Sequence, residues 1–223
     1  MIKPDLIVRS YRKTLCINIT KQGELVVRAP RSLSLEYIMQ FVKDKEKWIL
    51  KKKKEMLENS NKNSSIINYN TFLYYGKEYK KMDFSGIKSV EISKGSIVFP
   101  NHLTKSEMLY LAQDFYITQT KELLKLRLNY FAELMNLTYT SVSIINSKTR
   151  WGSCSAEGEL KFNLRISMLP CKIIDYIIIH ELAHLIEFNH SKKFYKIIAC
   201  VMPKWESVRK ELKSYDYLLN LIR

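Results

Sequence analysis

Between residues 6 and 29 the apolar positions come in short runs broken at Gly23, with Leu25, Val26 and Val27 ahead of Pro30, which is the pattern of short strands. From Leu33 the spacing lengthens. Leu35, Ile38, Phe41, Val42, Trp48 and Ile49 fall on the inner face of one helix predicted over about residues 33–58. Residues 59–65 are polar, aperiodic and rich in turn formers, and read as a linker. Residues 66–99 return to β-type patterning, with Tyr74, Tyr75, Tyr79, Val90, Ile92, Ile97 and Val98 punctuated by Gly76, Gly86 and Gly95.

After Pro100 no Gly or Pro occurs until Gly152, and Thr104-Lys105-Ser106-Glu107 has the form of a capping box, so a long helix is predicted over about 105–137. A strand follows near 138–146, then a hairpin-like pair about Ala156-Glu157-Gly158. In the second of these strands Leu160, Phe162, Leu164 and Ile166 alternate with Lys161, Asn163 and Arg165, so one face is core and the other is wet or lines a site. Past Pro170, an apolar stretch over 172–188 predicts a largely buried helix. The expected class is α+β, in two parts. Residues 1–100 form a β-rich N-terminal region holding the 33–58 helix and the 59–65 linker, and 101–223 form a second domain. No internal repeat is visible.

The 223 residues are 46% hydrophobic and 26% charged, which excludes disorder, and only 6 Gly and 5 Pro exclude collagen-like or low-complexity chains. A formal charge of +15 attracts nucleic acid, anionic lipid or acidic protein surfaces without choosing among them, and lysines solvating helix faces account for it as well. Cys16, Cys154, Cys171 and Cys200 lie far apart with no C-x-x-C pair. The opening Met1-Ile2-Lys3-Pro4-Asp5 lacks the apolar core of a signal peptide, and no run of about 18 apolar residues occurs. A reduced, cytoplasmic chain with no membrane span is expected.

The chemistry concentrates in Ile177-Ile178-Ile179-His180-Glu181-Leu182-Ala183-His184-Leu185-Ile186-Glu187-Phe188-Asn189-His190, where three of the four histidines fall within eleven residues. On a helix, His180 and His184 share a face and can grip one metal ion. Glu181, one residue round, can reach a metal-bound water as general base without being a ligand. A catalytic zinc wants a third protein ligand and one open position. His190 is six residues beyond His184, about 9 Å along a continuing helix, so the helix must end first. Asn189 is the expected stop, as a left-handed C-cap, with Ser191 capping the next helix. Glu206, Glu211 and Cys154 are the alternative third ligands. The H-E-x-x-H-x5-H spacing matches the metzincin ligand pattern but departs from it in Glu187, where that pattern has Gly, and in lacking a Met-turn.

Lys148-Thr149-Arg150-Trp151-Gly152-Ser153-Cys154-Ser155, Asn163-Leu164-Arg165, the His180–His184 motif, Asn189-His190-Ser191 and Phe194 together resemble the YgjP-like family of bacterial zinc metallopeptidases, related to the SprT-like zincins. The likeness is strongest over 148–213. It extends to Val27-Arg28-Ala29-Pro30, Trp48-Ile49 and Leu73-Tyr74-Tyr75-Gly76-Lys77-Glu78-Tyr79. The resemblance implies a zincin-like fold, one zinc ion, His180, His184 and His190 as ligands, Glu181 as general base, and hydrolysis of a peptide or protein substrate. It also places the Arg150–Cys154 segment on a strand near the cleft, where an exposed edge could pair with an extended peptide. Trp151 reads as core packing. Arg150 and Arg165 read as substrate-carboxylate or oxyanion contacts, or as surface ion pairs, and Tyr195 as a candidate transition-state donor. Substrate-binding residues are otherwise unassigned.

Two other functions fit part of the pattern. Metal-dependent endoribonucleases of rRNA maturation share the H-x3-H-x5-H frame and would suit the basic charge, but look like Gly where this chain has Glu181. A non-enzymatic nucleic-acid-binding protein with a structural zinc needs four protein ligands, and three are evident.

Overall fold

The computed structural model describes residues 2–20, 23–54 and 70–222, and the chain divides into two compact units, 1–65 and 66–223. In the first unit, β1 (Leu6–Ser10) runs parallel to β3 (Leu25–Pro30) and β2 (Cys16–Ile19) antiparallel to it, so β3 is the central strand. Helix α1 (Leu35–Asp44) starts at Ser34, whose side chain accepts from the Tyr37 N–H. Leu25, Val27 and Ala29 of β3 meet Ile38, Val42 and Ile49 in this unit's core.

The single helix expected over 33–58 is interrupted. Lys45 leaves the helical region at φ −95°, ψ 6°, and a second helical stretch, α2, occupies 46–54. The turn changes which residues face inward. Ile49 is buried, but Trp48 and Leu35, expected inside, are 48% and 52% exposed. The remainder of that expected helix and the linker at 59–65 lie outside the described residues.

The second unit begins with a four-stranded sheet in the order β4 (Thr71–Tyr74), β5 (Lys77–Phe84), β7 (Ser96–Pro100), β6 (Glu91–Ser93). Its two hairpins turn on Tyr75-Gly76 and Lys94-Gly95. All four residues have positive φ, as a two-residue type I′ turn demands. Phe72, Leu73, Ile97 and Phe99 of this sheet enter the same core as the helices that follow, so this sheet, over 71–100, packs with the second unit rather than with the N-terminal part to which the sequence assigned it.

The 30-residue helix α3 (Lys105–Leu134) opens with the capping box read from the sequence. The Thr104 side chain accepts from the Glu107 N–H, and the Glu107 carboxylate accepts from the Thr104 N–H at 2.8 Å. It closes three residues before the expected end, at a left-handed Asn136, with Leu137 N–H bonded to the Ala132 carbonyl. The third sheet has the order β8 (Ser141–Ile145), β10 (Glu159–Asn163), β9 (Gly152–Cys154), with β9 on an edge. Two helical turns, 3₁₀ in form, cover Leu164–Met168 and Lys213–Asn220. Between them lie α4 (Cys171–Ala183), α5 (Lys192–Val201) and α6 (Trp205–Leu212).

Helix α4 is apolar almost all round, as a helix in the middle of a domain must be. Its position is fixed at both flanks. The Tyr75 and Gly76 N–H groups donate to the Ser167 and Met168 carbonyls, and a Cβ on Gly76 would lie 2.6 Å from Pro170 Cγ, so this turn abuts the start of α4. Arg127 of α3 grips Asp175 of α4 with two N–H donors, through Nε and Nη2. Among the described residues no helix is long and apolar enough to cross a membrane. The architecture is mixed α and β, with three small sheets among the described residues and the helices of the second unit around α4.

Candidate metal centre

His180 and Glu181 lie in the last turn of α4 and His184 is its C-cap. The helix ends there and not at Asn189. Leu185 and Ile186 N–H groups bond back three residues, to Leu182 and Ala183, tightening the chain into a turn. Asn189 does not have positive φ. Its carbonyl accepts from the Ser191 N–H at 2.7 Å, and the Ser191 side chain, as expected, caps α5 by accepting from Phe194 N–H. The early stop lets residues 185–189 fold back, and His190 returns to the end of α4.

The ligand atoms of His180, His184 and His190 all lie within 4.8 Å of one another. The ring centroids are 4.9 Å (His180–His184), 5.0 Å (His180–His190) and 4.8 Å (His184–His190) apart. Nε2 of His180 faces Nε2 of His190 at 3.1 Å. Two such nitrogens either share a proton or look at a common cation, and tetrahedral zinc with bonds of 2.0–2.1 Å holds its nitrogens about 3.3 Å apart. His184 Nδ1 lies 3.2 Å from the Glu187 carbonyl, which makes Nδ1 the protonated atom and leaves Nε2 free to ligate. Nδ1 of His180 is buried without a hydrogen-bond partner among the described residues.

Burial, then the neighbouring His184 and His190 rings, push the His180 pKa down to about 3, and burial lowers that of His184. The two helix imidazoles are therefore neutral, the form that binds metal. The donor set fits a zinc ion.

Glu181 is 5% exposed, and burial pushes its carboxyl up to about 8 while Arg150 pulls the other way. Its side chain lies against the backbone of β9. A Cβ added to Gly152 would stand 2.7 Å from Glu181 Oε1 and 2.8 Å from Cγ, so only glycine admits the carboxylate here.

Beneath the cluster lies Phe194, fully buried in the first turn of α5. Its ring centroid is 4.9, 4.5 and 4.7 Å from those of His180, His184 and His190. Sequence reading noted Phe194 only within the family resemblance. Its place three residues after the capping serine, which turns it inward beside the ligand turn, is the signal that could have found it.

The remaining candidates separate. Glu211 is paired with Lys172 at 2.7 Å, the Cys154 thiol donates to the Ser155 carbonyl, Glu206 is exposed, and none of the three belongs to the cluster. Arg165 is 1% exposed, in the core rather than on the surface. It donates to the carbonyls of Leu221 (2.7 Å) and Ile222 (2.8 Å) and to Asn146 Oδ1 (2.7 Å). Asn163 beside it is buried as well, so of the alternating polar positions Lys161 is exposed as expected, while Asn163 at the end of β10 and Arg165 in the turn after it form a polar core. Trp151 is buried, its indole N–H bonded to Asp216 at 3.1 Å. Tyr195 stacks on Trp205, with ring centroids 4.5 Å apart.

A family model described as YgjP-like, metallopeptidase domain, matches residues 13–215 of this sequence. No curated protein matches it. Among solved structures, the chain is similar to the metallopeptidase zymogen abylysin of Pyrococcus abyssi, at 22% identity and a TM-score of 0.38, over 40% of this chain and 90% of that one.

Proposed function

Because the chain belongs to the YgjP-like metallopeptidase family, we propose that it is a zinc peptidase with a zincin-like catalytic unit, in which His180, His184 and His190 hold the ion and Glu181 is the general base. The observation that carries this reading is the convergence of three imidazoles, all within 4.8 Å, beside a buried carboxyl group seated against Gly152. Zinc, when bound, activates a water and polarises the scissile carbonyl.

The protein's own groups supply the rest. The Nδ1–H of His184, donated to the Glu187 carbonyl, fixes that ring's orientation, and Phe194 holds all three rings from below. Glu181 takes the proton of the attacking water and passes it to the leaving amine, so no covalent acyl-enzyme forms. A raised pKa suits a group that must both accept and return a proton near neutrality. The free edge of β9 offers backbone groups to an extended peptide lying across the site. Four free cysteines agree with action in a reducing cytoplasm.

The test is Glu181→Gln. The variant retains one zinc per chain by elemental analysis and loses turnover of a peptide library, and chelation abolishes wild-type turnover until zinc is restored. Normal turnover by the variant would remove Glu181 from the mechanism. Metal-dependent cleavage of structured RNA with no cleavage of casein would replace the peptidase reading.

A further inference from the structure

A cavity of about 280 Å³ opens directly beside His180 and Glu181. Its apolar wall includes Tyr176, Ile177 and Leu212, and three cations line it, Arg150, Arg209 and Lys213. Arg150 acts on the Glu181 carboxylate, but among the described residues neither Arg209 nor Lys213 is within ion-pair distance of a carboxylate, although Glu211, Asp175 and Glu187 elsewhere in the unit are each paired. Asp216 is the one acidic side chain in the lining besides Glu181, and it accepts the Trp151 indole N–H. The Arg209 guanidinium lies over the Tyr195 ring at 5.1 Å, and Tyr195 is itself stacked on Trp205. This holds the arginine in place without neutralising it. Arg209 and Lys213 also line a neighbouring depression with Lys210, Trp205 and Glu206, where three cations against one carboxylate leave a net positive charge.

We propose that this cavity recognises a carboxylate on the substrate, next to the bond that is cut, and that Arg209 and Lys213 set this preference. The inference rests on the peptidase reading. The chemistry is that of a chain with an apolar stem and an anionic head. Methylenes pack on Tyr176, Ile177 and Leu212 while the head meets Arg209 and Lys213. Such a carboxylate has two sources, an acidic side chain within a peptide or the C-terminal carboxylate of a short one.

The experiment uses zinc-loaded protein and a set of amide-capped quenched peptides in which Glu or Gln is moved through successive positions about the cut, together with free-acid versions of the Gln set. At one position kcat/KM for Glu exceeds that for Gln by about tenfold or more, as a charge-assisted contact supplies. Alternatively, the free acid exceeds the amide by that factor, which identifies the terminal carboxylate. The double variant Arg209→Gln, Lys213→Gln brings the ratio near one. The double variant Lys121→Gln, Lys125→Gln, which removes the same charge from the exposed face of α3, leaves it unchanged.

Equal rates for acid and neutral peptides at every position would overturn the proposal, as would equal loss of preference in the α3 variant. Binding of the same labelled peptides to Glu181→Gln protein, read by fluorescence anisotropy, decides the pocket separately. If no peptide is cut, the peptidase reading fails, and the acid-to-neutral affinity ratio still upholds or overturns the cavity's role.

Discussion

Replacing Gly152 by alanine isolates the contact between β9 and the Glu181 carboxylate, the proposed general base. Gly152 does not have positive φ, so an alanine there incurs no backbone penalty and the effect is the contact alone. Its methyl group would stand 2.7 Å from Glu181 Oε1, where ordinary contact begins at 3.4 Å, so the carboxylate must withdraw by about 0.7 Å. Since a misplacement of about 1 Å can lower a rate about 100-fold, kcat/KM should fall by about 10- to 100-fold. Overpacking of this kind destabilises by about 2 kcal/mol, a fall in Tm of about 4–8 °C for a unit of this size. Zinc content should not change, because the three atoms nearest the added methyl all belong to Glu181.

The assay is peptide hydrolysis, elemental analysis and thermal melting of Gly152→Ala, repeated in a Glu181→Ala background where the methyl group has nothing to meet. There the stability penalty should shrink to within about 0.5 kcal/mol. Wild-type turnover in Gly152→Ala, or an undiminished penalty in the Glu181→Ala background, would refute the argument that Gly152 exists to seat this carboxylate.

Phe194→Ala should destabilise by about 3–5 kcal/mol and weaken zinc binding about 10- to 100-fold by competitive chelation, whereas a loss of stability alone would make Phe194 an ordinary core residue. Arg165→Met strands the Leu221 and Ile222 carbonyls and should lower stability by about 2–4 kcal/mol at unchanged zinc stoichiometry, and loss of the metal would contradict its placement away from the site. Thr104→Ala should lower Tm by about 2–4 °C at neutral pH. Hydrogen bonds from the Thr104 side chain and backbone hold the Glu107 pKa below its ordinary 4.5. That contribution is present above pH 4.5 and lost as the pH falls through the depressed value, so the Tm gap between wild type and variant should narrow in acid.

The parts of this fold that local chemistry decides were readable in advance. The capping box at Thr104 and Glu107 and the serine cap of α5 each occupy a few adjacent residues, and each stands where the sequence placed it. His180 and His184 come together because a helix has fixed geometry. The failures are where distant packing decides. No Gly or Pro marks Lys45, and the apolar period runs through it, so the break that turns Trp48 outward left no local trace. Arg165 lies in an alternating pattern whose polar face is ordinarily wet. Its burial depends on Leu221 and Ile222, more than fifty positions away, arriving to accept its protons. The stop at Ala183 is similar, since Leu185 and Ile186 could have prolonged the apolar stripe, and a short turn formed instead.

The turn between the second and third histidines carries Ile186 and Phe188 on its outer side, 45% and 53% exposed. A segment tethered at both ends to one ion cannot unroll into the extended shape that chymotrypsin must thread, and the same segment released from the ion can. Occupancy of the centre should thus be visible on a gel as resistance to cutting after Phe188. That would give a measure of metal loading that needs neither a substrate nor a working Glu181.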